Sequence, residues 1–394
     1  VQRFARGGVG SLCVAAVSAV LCTAGAQTGP SVTIAPVYQA WSFATPLPLD
    51  SLRVKSATQI AVPFMVEWPV SSRLTTTLSG AAYSSNVSTP GAGSGESQSL
   101  SGLTDLRIRA TGRVIGDALR ITAGINIPTG KSGLSLSENQ VVRVLAAPSL
   151  GAPVAIPGVG FGGTIGAVAA TLAGQWALAV GASLEKRGTY SPLDVAIAGR
   201  DARTELVPGN TAHVSFGADG LVGAHRLSIG VLTDLYSSDQ LRSITNGTTQ
   251  TDSYKLGPTA LATASLQIAS SAIRDLTVQF TDRYRSAFTD GKGATIAGSS
   301  GNSVMLGASG LLGSAGRPSL VLGVDVQQHS GLPVDKGLIG AKMTGVGATV
   351  GLSLPSGTIE WRPTLHASVG SMTTQRASSS VTSFSAGLTV VARK

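Results

Sequence analysis

The sequence predicts an all-β fold: a transmembrane antiparallel β-barrel of about 16 strands, with about 14 as the alternative, behind a cleaved signal peptide. Three observations carry this. Apolar residues recur at every second position over segments of roughly 10–13 residues, close to the ~9–11 that a tilted membrane strand needs. The breaks between segments alternate short and long, the layout of tight periplasmic turns and larger outer loops. Charged residues make up only 12% of the chain against 43% hydrophobic, and along each segment the charges keep to one face. That balance excludes a disordered chain. Strands of a soluble sandwich run shorter and carry more charge on their solvent face.

Residues 1–26 read as an address. Arg3 and Arg6 precede an apolar run over 11–22, and Ala24-Gly25-Ala26 supplies a small-residue cleavage site. The run is too short for a comfortable membrane span. Both cysteines, Cys13 and Cys22, fall inside this segment. The remaining chain, 27–394, is therefore expected to hold no disulfide and no cysteine nucleophile. Its expected first residue is Gln27, which intact mass would show; a retained 1–26 would make that segment an anchor instead. The net charge of +9 is spread thinly, with no Lys/Arg run of five or more, so no nucleic-acid partner is expected.

The elements follow in order. Residues 32–43 open the barrel; were they an internal plug, the count would fall to about 14. Leu119, Ile121, Ala123, Ile125 and Ile127 alternate with Arg120, Thr122, Gly124 and Asn126, a half-polar strand. The stretch 144–184 has no charged residue, and 164–184 resembles a membrane helix in hydropathy. Its glycines and the strict alternation of Trp176, Leu178, Val180, Ala182 and Leu184 predict instead a hairpin turning at Gly174-Gln175, with Trp176, Leu178, Val180 and Leu184 toward lipid. The same rhythm recurs over 227–235, 276–280, 320–326 and 359–369. Short breaks fall at 69–72, 115–117, 174–175, 223–225, 271–274, 313–318 and 355–357. Longer breaks, expected as outer loops, fall at 45–55, 87–100, 128–158, 188–210, 237–254, 289–300, 331–339 and 371–378. In the longest, 128–158, Ser137 is a candidate cap for a short helix stopped by Pro148. That helix would fold into the barrel as a constriction or pack on its rim.

Catalytic signatures are missing. Residues 158–163 match the G-x-G-x-x-G spacing, but no βαβ unit surrounds them. Gly130-Lys131-Ser132 has Ile125 where a phosphate-binding loop needs its first glycine. The four histidines are isolated in sequence. No catalytic residue, cofactor or metal is expected, and the chain does not read as an enzyme.

The informative set is the polar face: Glu67, Asp105, Arg107, Arg109, Arg120, Asn126, Asp234, Gln279, Asp325, Glu360 and Arg362, together with Arg226, Arg283, Arg285 and Gln327. In a barrel this face is the lumen, so these are the candidate pore-lining residues. Two readings compete: the charges pair off and hold the barrel, or unpaired arginines set selectivity as charged rings do in pores. Arg107, Arg109 and Arg120 lie on consecutive strands and are expected to be neighbours.

Several strings then carry a resemblance. Pro63-Phe64-Met65-Val66-Glu67-Trp68, Ser72-Arg73-Leu74, Gly102-Leu103-Thr104-Asp105-Leu106 and Ile127-Pro128-Thr129-Gly130-Lys131 occur in this order. Over about 59–131 the chain resembles the outer-membrane barrel family associated with phenol meta-pathway (aromatic-degradation) operons, fatty-acid-transporter-like in style. The resemblance implies passive uptake of small, mostly hydrophobic compounds. The expected function is an outer-membrane channel or transporter for small hydrophobic or amphipathic solutes; the alternative is a structural or surface-interaction barrel with a filled lumen. The expected partners are outer-membrane lipid, the barrel-assembly machinery and a small-molecule solute.

Overall fold

In the computed structural model, residues 29–49, 52–90, 97–147, 149–197, 200–245, 247–314, 317–331, 341–374 and 377–393 are described. The expected signal peptide, Pro148 and most of the break at 331–339 lie outside them. The first wall strand consists of two segments, β1 (Ser31–Ile34) and β2 (Val37–Leu49), interrupted at Ala35-Pro36. Next come β3 (Leu52–Ser71) and β4 (Leu74–Ser88). The fourth wall strand is again double, β5 (Ser97–Leu103) and β6 (Leu106–Ile115), both paired with β4. The wall continues through β7 (Leu119–Ile127), β8 (Gly162–Ala173) and β9 (Trp176–Arg187).

Beyond β9 the chain leaves the wall for β10 (Tyr190–Ile197) and β11 (Arg200–Val207), then returns as β12 (Thr211–Val222) and β13 (His225–Tyr236). It leaves again for β14 (Asp239–Thr245) and β15 (Thr248–Lys255), and returns as β16 (Thr259–Ile268) and β17 (Arg274–Arg285). After the short β18 (Thr289–Asp290), the wall is finished by β19 (Gly301–Leu312), β20 (Ser319–Ser330), β21 (Lys342–Ser356), β22 (Ile359–Thr373) and β23 (Ser378–Arg393). β23 pairs back onto β1 and β2, so the barrel closes and has no open edge. With the two interrupted strands each counted once, the wall has 16 strands. Residues 32–43 belong to it, which removes the plug alternative.

The hairpin predicted in the uncharged stretch is β8–β9, and its turn residue Gly174 has φ +61, a conformation a side chain resists. Gly223, in the turn between β12 and β13, does the same at φ +62. Three of the expected outer loops need correcting. The break at 45–55 is mostly the joined ends of β2 and β3. Those at 188–210 and 237–254 are hairpins, β10–β11 and β14–β15, which combine with β18 into a second, five-stranded sheet. These segments read as loop because polar residues dominate them and few apolar side chains, such as the buried register partners Leu206 and Leu241, mark an inner face, so alternation fades.

Register fixes which face is which, since partners across an antiparallel pair share a face. Phe280, Leu306, Val326, Val346 and Val369 follow one another in a single row on the outside. The next row toward the outer end is Asp282, Val304, Gln328, Thr344 and Ser371. Polarity changes within one row. From Val369 down to Ile359 the outward residues of β22 are apolar or small, about 33 Å of strand, which a tilt of about 40° shortens to a band of about 25 Å. A closed barrel with such a belt is an outer-membrane barrel. Trp176, Leu178, Val180 and Leu184 are on this outer face, sharing rows with Ala212, Val214, Phe216, Ala218 and Gly220.

Candidate functional site: a lumen narrowed by an inserted loop

The segment between β7 and β8 turns into the barrel and carries the one helix of the described residues, α1 (Leu136–Leu145). Its start is set by Ser135, whose Oγ accepts from the Glu138 backbone N–H while the Glu138 carboxylate accepts from Ser135 N–H. This is a reciprocal capping box. The cap is Ser135 and not the expected Ser137, because only Ser135 stands three residues before a glutamate. Glu138 also pairs with Lys131. Burial works to raise the Glu138 carboxyl, but the Lys131 ammonium and the Ser135 donors outweigh it and hold it below the usual range.

Val141, Val144 and Leu145 put one face of α1 into a buried cluster, joined by Leu134, Leu150 and Val154 of the same loop. The other half of that cluster belongs to the wall: Trp41, Phe43, Val54, Tyr83, Val87, Leu100, Met343, Met372 and Val381. Fully burying such side chains contributes about 1.5–3 kcal/mol each, so the insertion is a packed interior contact. Polar clasps fix its register. Trp41 Nε1 donates to Leu150 O at 2.9 Å. Gln59, 1% exposed, donates to Val154 O and accepts from Val154 N–H, both at 2.8 Å.

The loop's two ends are held at one carboxylate. Asp105, in the interruption between β5 and β6, accepts from Gly130 N–H at 2.9 Å, Val159 N–H at 2.7 Å and Asn126 Nδ2 at 2.8 Å. Asn126 Nδ2 also donates to Gly160 O, and Thr129 Oγ1 donates to Thr104 O at 2.9 Å. Two of the strings that carried the family resemblance, around Thr104-Asp105 and Thr129-Gly130, therefore meet in space. Gly130 has to be glycine here: a Cβ would lie 2.4 Å from Pro157 O. Asp105 and Asn126 are thus the base of the loop rather than free lining residues.

The other expected residues lie on the inner face, at different heights. Glu67, Thr77, Arg109 and Gly124 form one row of register partners. Arg107 is one pair nearer the outer end. Arg120 does not join them. It is the partner of Arg113 near the short turn, and both guanidiniums share Asp117 at 3.4 and 3.2 Å. Parity placed Arg120 inside, but the antiparallel register sets its depth. Asp325 and His366 pair at 3.0 Å across Gly347, where a Cβ would collide with both side chains. Glu360 holds Arg362 at 2.6 Å, and Asp219 holds Arg226 at 2.9 Å. Arg285 donates to Ser299 O and Gly331 O and lies over the Phe288 ring, bracing the outer loops. Gln279 is inward and exposed.

Asp234 belongs to a ladder that sequence spacing did not single out. Arg187, Glu185, His213 and Asp234 run across β9, β12 and β13, with His213 2.7 Å from Asp234 and 3.4 Å from Glu185. Thr259 Oγ1 donates to Asp234 at 3.0 Å. Each of these residues has inward parity near the outer end of its strand, and that shared position was the available signal. Among the described residues, no grouping of His, Cys, Asp or Glu is arranged to hold a metal ion. Arg107, Arg109 and Arg283 make no ion pair within 4 Å among the described residues.

No family model and no curated protein matches the chain. Solved structures do. An outer membrane channel from Pseudomonas putida F1 is 15% identical, with a TM-score of 0.37 over 68% of this chain and 92% of that one. The CymD monoaromatic hydrocarbon channel is 11% identical, TM-score 0.41, covering 93% and 89%. OprB of Pseudomonas putida is 10% identical, TM-score 0.47, covering 99% of each chain. The barrel itself stands on the chain's own strand pairing.

The lumen is therefore asymmetric. At the outer half, the loop covers the wall of β2–β5 and β21–β23 with apolar contact, while β9, β12 and β13 present the ionic ladder. Below the loop, inward positions are mostly Gly, Ala, Ser and Thr, as in Ser215, Gly217, Gly230, Thr263, Ser265, Gly307 and Ser309. Small side chains leave space.

Proposed function

We propose that the chain is a passive outer-membrane channel for small amphipathic solutes. The observation that carries this is the inserted loop: its apolar contact is with the β2–β5 and β21–β23 side of the wall, so the polar ladder of β9, β12 and β13 and the small-residue lumen below remain as a path. Barrels of about 16 strands are wide enough to leave an aqueous channel when side chains do not fill them. The inward Glu67, Arg107, Arg109, Arg120, Asp234, Gln279, Asp325, Glu360 and Arg362 would line that path. The resemblance over 59–131 points the same way, toward small hydrophobic or amphipathic cargo. Reconstitution of the full chain into planar bilayers tests the reading. Discrete conductance steps in potassium chloride are expected; a heat-modifiable, folded barrel that passes neither ions nor solute would instead be a structural barrel.

A further inference from the structure

Resting on the channel reading, we infer that the lumen below the loop is a two-sided track for amphipathic monoanions, with arginines of β6 and β7 guiding the carboxylate and the bare inner face of β8 and β9 carrying the apolar body. The arginine side runs the depth of the wall: Arg107 and Arg109, then Arg113 and its partner Arg120. Arg113 and Arg120 share a single carboxylate, Asp117, and the two upper guanidiniums have none within 4 Å. Glu67 stands two strands from Arg109, with Thr77 between them. Positive charge is in excess along this strip.

The next two strands differ from the rest of the lumen. Below Thr164 and Ser183, the inward residues of β8 and β9 include Val168, Ala170, Leu172, Ala177 and Ala179, with no polar side chain among them. Other walls at this depth carry Ser215 and Asp219, Thr263 and Gln267, or Thr364 and His366. Val168 is 41% and Leu172 79% exposed, so nothing in the protein covers them. The two strips touch. Arg120 and Val168 are direct register partners, on strands about 4.8 Å apart. Higher up, Arg109 lies across Gly124 toward β8: a Cβ there would meet Arg109 Cγ at 3.0 Å. An anion with an apolar chain fits both strips at once. A bare inorganic anion uses one of them, and an uncharged hydrocarbon the other.

Bi-ionic reversal potentials of the full chain in planar bilayers test this, with sodium acetate or sodium hexanoate opposed to sodium chloride. Hexanoate is expected to be about threefold more permeant than acetate although it is larger, because each added methylene favours an apolar wall. Val168→Thr with Ala170→Ser should remove that advantage, whereas Ala167→Thr, on the lipid face of the same strand, should retain it. Arg107→Gln with Arg109→Gln should lower both carboxylates relative to sodium. Acetate passing as readily as hexanoate in the unmodified protein, or a hexanoate advantage that survives Val168→Thr/Ala170→Ser, overturns the track while leaving the channel in place. A folded barrel silent to every salt overturns both.

Discussion

Asp105→Ala is expected to free the inserted loop and raise single-channel conductance, with the barrel wall still formed. The carboxylate is 5% exposed and collects the Gly130 and Val159 backbone donors together with the Asn126 amide. Deleting it leaves buried donors unmade, at about 1–3 kcal/mol each. What then still holds the loop is the packing of α1, the Gln59 and Trp41 clasps on β3 and β2, and the Asn126–Gly160 and Thr129–Thr104 hydrogen bonds at its base. Asp105→Asn keeps an acceptor but turns an NH2 toward a backbone N–H, so it should fall between the two. Larger and noisier conductance steps, with new protease cleavage between 128 and 161 and an unshifted heat-modifiable band, are the expected readings. Steps of native size with the loop still protease-resistant would show that the apolar contact alone holds it.

Period-two alternation made the wall legible, down to the hairpin of β8 and β9 and its turn at Gly174. It did so because each strand has one face in lipid and one in the lumen, which leaves a strong pattern in any single segment. What it could not supply was depth or contact across the barrel. Arg120 has the right parity and the wrong neighbours, since its height follows from how β6 and β7 are registered. Gln59 and Val154 are 95 residues apart, and nothing local in either marks the clasp between them. Asp105 scored as a lumen charge because its parity is correct, yet it stands where the strand is interrupted, and the interruption is made by the loop it binds. The helix was readable as a helix, but its cap was expected at Ser137, two residues past Ser135, where Glu138 completes the capping box. The polar outer hairpins were read as loops because a buried pair such as Leu206 and Leu241 is too short a stripe to impose alternation on them.

The lipid face gives the sharpest test of the wall. Val180 lies midway between Trp176 and Leu184, points outward beside Ala169 and Phe216, and is 56% exposed on the isolated chain. Val180→Arg therefore puts a guanidinium near the middle of the apolar band, too far from either interface for the side chain to escape easily. The expected cost is about 2–4 kcal/mol of folding stability in a bilayer. Leu178 has the same orientation but stands only two residues from the start of β9, so Leu178→Arg should cost less, because the penalty falls off toward the interface. Ala179 lies between them and points inward, with Ala170 and Gly217 as its register partners, so Ala179→Arg finds water and space and should cost under ~1 kcal/mol. Urea titration of folding into vesicles reads all three. Equal losses for Val180→Arg and Ala179→Arg would mean that β9 is not a wall strand with one face in lipid, and the order Val180, Leu178, Ala179 is what the register requires.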